Sequence, residues 1–280
     1  MCRVLWKNDY WGMESMKRRW IMNGKILVIK HVSNEGPGLI KTFFEGKGWP
    51  VELVDFSNGD LLPGNLDGIA AAVLLGGPMN VYEEKEYPFL KKEDDFIARL
   101  IIEEIPFLGI CLGAQLLAKA CQGRVFKSNT AEIGWYTVNV TKEGRHDTLF
   151  YGLSAGLTVF QWHEDTFEVP EGGTLLVRGR ACRNQAFKVG NYAYGLQFHI
   201  EATPAMVSEW MKDQTGKVDV NKIFKGSIEK RDLLENQANT ILSNFQRIIE
   251  SSLRLKKIMK QYIEDRTWSE KKAICWWEVN

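Results

Sequence analysis

The stretch PFLGICLGAQLLAKACQG, residues 106–123, carries two cysteines in different settings. Cys111 stands between Gly109 and Gly113 where a short apolar run meets a helix-like run, whereas Cys121 lies near the C-terminal end of that same helix-like run without a glycine frame. Gly109-Ile110-Cys111-Leu112-Gly113 matches the nucleophile-elbow pattern G-x-S-x-G with cysteine in place of serine. Glycines there permit a sharp strand-to-helix turn, and a helix N-terminus favours the thiolate form of a cysteine placed on it. The pattern therefore marks Cys111 as a reactive thiol, weighed against a buried structural one, and Cys121 as helix filling.

A thiol acting on an acyl group needs a base and an oxyanion hole. Of four histidines, His146 lies in the turn KEGRHD and reads as solvated, and His31 follows the first strand and reads as a surface residue near a site rim. His163 in FQWHEDTF and His199 in GLQFHIEAT each precede an acid by two residues, Asp165 and Glu201. In extended backbone, positions i and i+2 share a face, so either acid could orient its imidazole. Residue chemistry alone leaves the two pairs even. For the oxyanion hole, one backbone N–H is naturally that of Leu112, and a second could come from the glycine turn in LLGGPMN, residues 74–80.

These residues need elements to hold them. KILVIK (25–30), PVELVDF (50–56), GIAAAVLLGG (68–77) and PFLGI alternate with helical segments at GPGLIKTFFEGKG, YPFLKKEDDFIARLIIEEI (87–105) and LGAQLLAKACQG, the last closed by Gly123. This βαβ alternation predicts an α/β fold, a doubly wound, mostly parallel sheet with helices on both faces. In such sheets function collects beyond the carboxyl ends of the strands, which is where Cys111 falls. From 124 to 199 the pattern changes to short strands, GWYTVNV, LTVFQW, TLLVRG, NQAFKVG and AYGLQFHIE, that extend the sheet or form a side sheet. The chain then turns helical, with apolar residues from Leu234 through Leu255, Ile258 and Tyr262 at helical spacing, predicting a long helix docked on the core.

Bulk properties exclude several classes. The 280 residues carry a net charge of +1, so no global field argues for nucleic acid or an anionic membrane. No apolar run approaches the roughly 18 residues of a membrane span. Five scattered cysteines without C-x-x-C spacing suggest neither a disulfide framework nor a zinc site, and point to a reducing, cytoplasmic setting. Residues 1–23 are basic and aromatic and read as an N-terminal extension or a mis-called start, 24–249 as the domain, and 250–280 as a C-terminal helical tail.

LLGGPMNVYEE, GICLGAQLLA and GLQFHIE, in this order, resemble class I glutamine amidotransferases of the cysteine-triad type. The likeness is to the stand-alone proteins similar to the amidotransferase domain of GMP synthase, and it covers roughly residues 24–249. It implies a flavodoxin-like fold, Cys111 as nucleophile, His199 as general base and acid, and Glu201 as the group orienting that histidine. The amides of Gly77 and Leu112 would form the oxyanion hole, and Gly113 and Gln115 would line the glutamine pocket. FQWHEDTFEVPEG resembles the stretch lying against substrate, which makes Trp162 and His163 pocket wall. One departure is Ile200, which stands where the family usually has proline between the histidine and the glutamate.

The implied reaction is hydrolysis of the glutamine side-chain amide through a γ-glutamyl thioester, with no metal or organic cofactor required. Ammonia so released normally serves a synthetase, yet no G-x-x-x-x-G-K-[ST] loop is present, and residues 205–280 are too few and too helical to house one. The expectation is a glutaminase supplying a separate acceptor enzyme. The alternatives are a γ-glutamyl peptidase acting on γ-glutamyl peptides and a non-catalytic binding or regulatory protein that keeps the fold.

Overall fold

The computed structural model describes residues 24–212, residue 216 and residues 218–277, with 265–277 described as helix backbone only. The expected extension, 1–23, lies outside the described residues. Nine strands form one sheet in the order β2-β1-β3-β4-β9-β8-β7-β5-β6. The parallel part comprises β1 (Lys25–Lys30), β2 (Val51–Asp55), β3 (Ile69–Leu74), β4 (Phe107–Ile110) and β9 (Ala193–Leu196). Strands β5 (Val125–Val140), β6 (Gly156–Phe167), β7 (Thr174–Arg178) and β8 (Asn184–Val189) continue the same sheet antiparallel. The change from parallel to antiparallel follows the connections: after residue 124 loops and a short helical excursion between β5 and β6 replace the long helical crossovers.

Alternation along β1 divides the core. Ile26 and Val28 face α1 (Gly38–Gly46) and α7 (Arg231–Trp277). Leu27 and Ile29 face α2 (Phe89–Ile102) and α3 (Leu112–Ala120). Residues of β3 are buried throughout, as a strand covered on both faces requires. The doubly wound α/β arrangement is thus present, with helices on both faces. Among the described residues, no helix is long and apolar enough to cross a membrane.

Three details depart from the expected pattern. Helix α3 is closed by Gln122, which takes the left-handed conformation (φ 64°), while Gly123 donates its N–H to the Ala118 carbonyl at 2.7 Å. This is a 6→1 closing bond, and Gly123 is required because a Cβ there would press on the Glu168 and Ala118 carbonyls. The segment KEGRHD is a short helix, α4 (Lys142–His146), capped by Thr141, not a turn. A further helix, α6 (Val220–Glu229), follows α5 (Pro204–Trp210) and escaped the sequence reading although Asp219 caps it through the Lys222 amide.

Helix α7 packs through Leu234, Ala238, Ile241, Leu242, Phe245, Ile248 and Ile249, all buried. Beyond Ser252 it leaves the core: Leu255, Ile258 and Tyr262, grouped by periodicity with the docked face, are about half exposed. Periodicity reports a stripe, and the edge of the sheet decides where that stripe stops being covered. Phe245→Ala is expected to destabilise by about 3–5 kcal/mol, the cost of emptying a fully buried aromatic site. Ile258→Ala is expected to stay within about 0.5 kcal/mol of wild type. Denaturant unfolding of the two variants measures both.

Candidate active site

Parallel strands deliver their carboxyl ends to one edge, and four loops meet there. His31 follows β1, Gly76 and Gly77 follow β3, Cys111 follows β4, and His199 follows β9. Cys111 has φ 52° and ψ −106°, a conformation rarely adopted by residues with a side chain. Such a residue stores about 1–3 kcal/mol and needs its surroundings to hold it. Here its N–H donates to the Leu196 carbonyl at 2.8 Å, and its own carbonyl accepts from Ala114 and Gln115. The flanking glycines serve contact more than strain. A Cβ at Gly109 would run into the Gly113 backbone, and one at Gly113 into the Leu74 carbonyl. Strand β4 and helix α3 thus approach as closely as bare backbone allows.

His199 is buried and donates from Nδ1 to Glu201 Oε1 at 2.6 Å. Its ring is walled by Trp210 (centroids 5.1 Å apart) and Phe160 (6.2 Å), and its amide bonds the Phe160 carbonyl at 3.0 Å. Nε2 has no hydrogen-bond partner among the described residues. Burial works against a charged ring, but the Glu201 carboxylate and the neighbouring Cys111 outweigh it and hold the His199 pKa well above the ordinary value. The Cys111 thiol meets the Trp162 carbonyl at 3.6 Å and accepts from Gln197 Nε2 at 3.9 Å. Phe198 and Ile200 point into the core while Gln197, His199 and Glu201 alternate toward the site. Ile200, the residue in place of proline, is therefore a core residue.

The competing pair resolves differently. His163 Nδ1 bonds the main-chain carbonyl of Asp165 at 2.9 Å, not its carboxylate, and Nε2 meets Glu132 Oε2 at 3.1 Å. Both ring nitrogens are engaged, which leaves none to face Cys111. A bulge in β5 between Lys127 and Glu132 sets Glu132 opposite His163. Glu132, His163 and Cys182 bring potential metal-ligand atoms within 4.8 Å of one another. The cluster is closed by its own hydrogen bonds, including Gln185 to Glu132 at 2.8 Å and a bond shared by Thr166 Oγ1 and Cys182 at 2.9 Å.

His31 is not on the surface. It is 2% exposed, with Nδ1 on the Gly76 carbonyl at 2.7 Å and Nε2 on Glu93 Oε1 at 2.9 Å. A polar residue after a strand resembles a rim residue in sequence, whereas here α2 folds over it through Phe89 and Glu93. His146 is exposed. Cys121 ends helix α3 half-buried, and burial pushes its thiol pKa up.

A cavity of about 810 Å³ opens over Cys111 and His199, with Gly77, Gln115, Trp162 and His163 in its wall. Gln115 reaches the Asp165 carbonyl at 3.1 Å. Neither the Gly77 nor the Leu112 amide has an acceptor among the described residues. Gly113, expected in the pocket wall, follows Leu112 in the first turn of α3, and a Cβ on it would meet the Leu74 carbonyl, so that side of the residue packs on β3. Glu35 is a wall residue that the sequence reading missed. Burial and Glu201 raise its pKa, against an opposing pull from His199. Its only sequence signal is an acid between the first strand and the first helix.

Residues 47–215 match the family model for class-I glutamine amidotransferases. The chain belongs to this family. As a class-I amidotransferase it is similar to the glutamine amidotransferase-like protein YfeJ of Salmonella typhimurium, 30% identical over 182 residues, covering 64% of this chain and 76% of that one. It is 33% identical over 142 residues to the glutamine-hydrolysing GMP synthase of Porphyromonas gingivalis, matching half of this chain but only 26% of that enzyme. The crystal structure of a glutamine amidotransferase from Thermotoga maritima superposes with a TM-score of 0.74 at 35% identity, covering 81% of this chain and 99% of that one.

Gly113→Ala in this amidotransferase is expected to cost about 1–3 kcal/mol or more through overpacking against Leu74. A thermal melt of the variant, compared with a surface glycine-to-alanine control at Gly46, where a Cβ meets nothing within 4 Å, checks this.

Proposed function

We propose that this chain hydrolyses the side-chain amide of glutamine through a thioester on Cys111 and yields ammonia for a separate acceptor enzyme. The observation that carries this reading is the free Nε2 of His199 beside Cys111, with Nδ1 already held by Glu201 at 2.6 Å. A ring oriented at one nitrogen and unpaired at the other can take a proton from a thiol and return it to a leaving group.

His199 Nε2 takes the thiol proton, and the sulfur attacks the amide carbon. The oxyanion forms against the Gly77 and Leu112 amides, which have no competing acceptor. Collapse breaks the C–N bond as Nε2 gives its proton to the departing nitrogen, releasing ammonia. Water enters, loses a proton to the same nitrogen and attacks the thioester, so glutamate leaves and the thiol is restored. Gln115 and Trp162 bound the side-chain channel, and His163, locked on Glu132, stiffens its wall.

A second reading is favoured by the cavity's size. About 810 Å³ exceeds what one glutamine fills, and the cavity reaches Ala131, Ile133 and Tyr136 of β5. That space would accept the remainder of a γ-glutamyl peptide.

Glutamine, glutathione and a γ-glutamyl anilide, each supplied to wild type and to Cys111→Ala, separate the readings. Ammonia from glutamine alone supports the glutaminase, and faster cleavage of the peptides supports the γ-glutamyl hydrolase. Cys111→Ala is expected to lower either activity at least about 10³-fold. Equal inactivity of wild type and variant on all three, with a cell extract added to supply an activating partner, would leave the non-catalytic reading.

The raised His199 pKa sets the pH profile. The imidazolium donates to the leaving nitrogen, so kcat/KM falls as that proton is lost. The alkaline limb should therefore lie above the ordinary imidazole range, about pH 6.5. Glu201→Gln removes the charge that raises the pKa, so the limb should move down in pH and kcat should drop. Ammonia release measured across pH for both proteins tests the sign.

A further inference from the structure

His31 and Glu93 form a buried ion-pair geometry that takes no part in the proton transfers above. Both side chains are fully enclosed. His31 Nδ1 lies 2.7 Å from the Gly76 carbonyl oxygen, which can only accept, so the proton on Nδ1 is donated to it. Nε2 faces the Glu93 carboxylate at 2.9 Å. Burial opposes the charge on this ring, but Glu93 and the Gly76 carbonyl outweigh it, and the His31 pKa is raised. Phe56 and Phe89, each with ring centroids 5.9 Å from His31, fix the ring from the β2 and α2 sides.

The carbonyl so gripped belongs to the peptide unit that carries the Gly77 amide. A trans peptide is planar, with C=O and N–H pointing in opposite directions, and no cis bond occurs among the described residues. Pinning the Gly76 oxygen therefore pins the Gly77 N–H. Gly76 itself sits over the reacting groups: a Cβ on it would lie 3.2 Å from His199 Cε1 and 3.6 Å from Cys111 Cβ. Gly76 and Gly77 are otherwise free to rotate more than any other residue type, and a donor that wobbles stabilises an oxyanion poorly.

We infer that His31, held by Glu93, is a positioning residue that fixes the Gly76–Gly77 peptide so that the Gly77 amide faces the oxyanion formed at Cys111. The inference rests on the reading of Gly77 as an oxyanion donor. His31 touches no substrate atom in this scheme. It acts by removing the rotation of one peptide, and Glu93 acts by holding the ring and its proton.

Replacing His31 alone would strand the buried Glu93, so the main variant is His31→Phe with Glu93→Leu, which removes both charges and keeps the apolar packing. His31→Asn with Glu93→Leu, in which the Asn amide nitrogen can stand near the Nδ1 position and no carboxylate is stranded, is the conservative rescue. Far-ultraviolet circular dichroism and a melt establish folding. Three readouts follow: glutamine turnover, inhibition by glutamate γ-semialdehyde, and alkylation of Cys111 by iodoacetamide followed by peptide mass. The aldehyde forms a thiohemiacetal whose oxygen needs the hole, whereas alkylation does not.

The expected result for the double variant is a fall in kcat of about 10–100-fold, less than or comparable to loss of an oxyanion donor. KM should change little, aldehyde affinity should drop in parallel with kcat/KM, and the alkylation rate should hold. His31→Asn with Glu93→Leu should recover part of both losses. A folded double variant with kcat within twofold of wild type, or one that loses kcat while binding the aldehyde as wild type does, overturns the inference. So does an equal loss of alkylation, which would signal general damage to the Cys111 loop. Wild type that neither turns over glutamine nor binds the aldehyde overturns the glutaminase reading itself and this inference with it.

Discussion

The structure depends on one backbone contact, the approach of β4 and α3 to each other and to β3 around Cys111. Gly109 meets Gly113, and Gly113 meets the Leu74 carbonyl, at separations that admit no Cβ. With both sides of the turn pressed together, the chain can reverse only through an unusual conformation, and that conformation falls on the cysteine itself. Its side chain is thereby aimed out of the strand–helix junction, where an ordinary helical residue would be packed inward. The strain is offset by main-chain hydrogen bonds to Leu196, Ala114 and Gln115. Because the same contact ties α3 to β3, it also sets the distance from Cys111 to the glycine turn that follows β3.

Three buried histidines are each paired with a glutamate, and the second ring nitrogen distinguishes them. His31 gives it to a carbonyl at Gly76, and His163 gives it to the Asp165 carbonyl. His199 gives its second nitrogen to no carbonyl or carboxylate among the described residues, and only the Cys111 thiol stands beside it. An imidazole bonded at both nitrogens is a brace, since moving its proton would break a buried hydrogen bond. One bonded at a single nitrogen is oriented yet still able to exchange a proton. The same residue pair thus occurs twice as a brace and once as an oriented ring with an open nitrogen within one sheet.

Much of this was legible in the chain. KILVIK, GIAAAVL and PFLGI are apolar enough to be strands covered on both faces, and the glycine-framed Cys111 marked the turn. The i, i+2 spacing brought His199 and Glu201 together, as extended backbone demands. The same rule failed at His163, because a bulge in β5 offered it Glu132, a partner 31 residues away, and its own Asp165 turned elsewhere. His31 was misread because nothing local says that α2 will cover it. Leu255, Ile258 and Tyr262 were misassigned because helical period continues past the point where the sheet ends.

By itself, then, the sequence determined the elements and the residue types at their ends: apolar periodicity and glycine placement act over a few residues, and local sterics suffice to read them. It also determined that a thiol, an imidazole and a carboxylate were available in one fold. Which histidine keeps a nitrogen clear of any carbonyl or carboxylate, and how closely a glycine lets helix and strand approach, were decided only by tertiary structure. Those properties depend on Glu93, Glu132 and Leu74, which are distant in the chain, and a hydrogen bond or a close contact is specified only when both partners are in place.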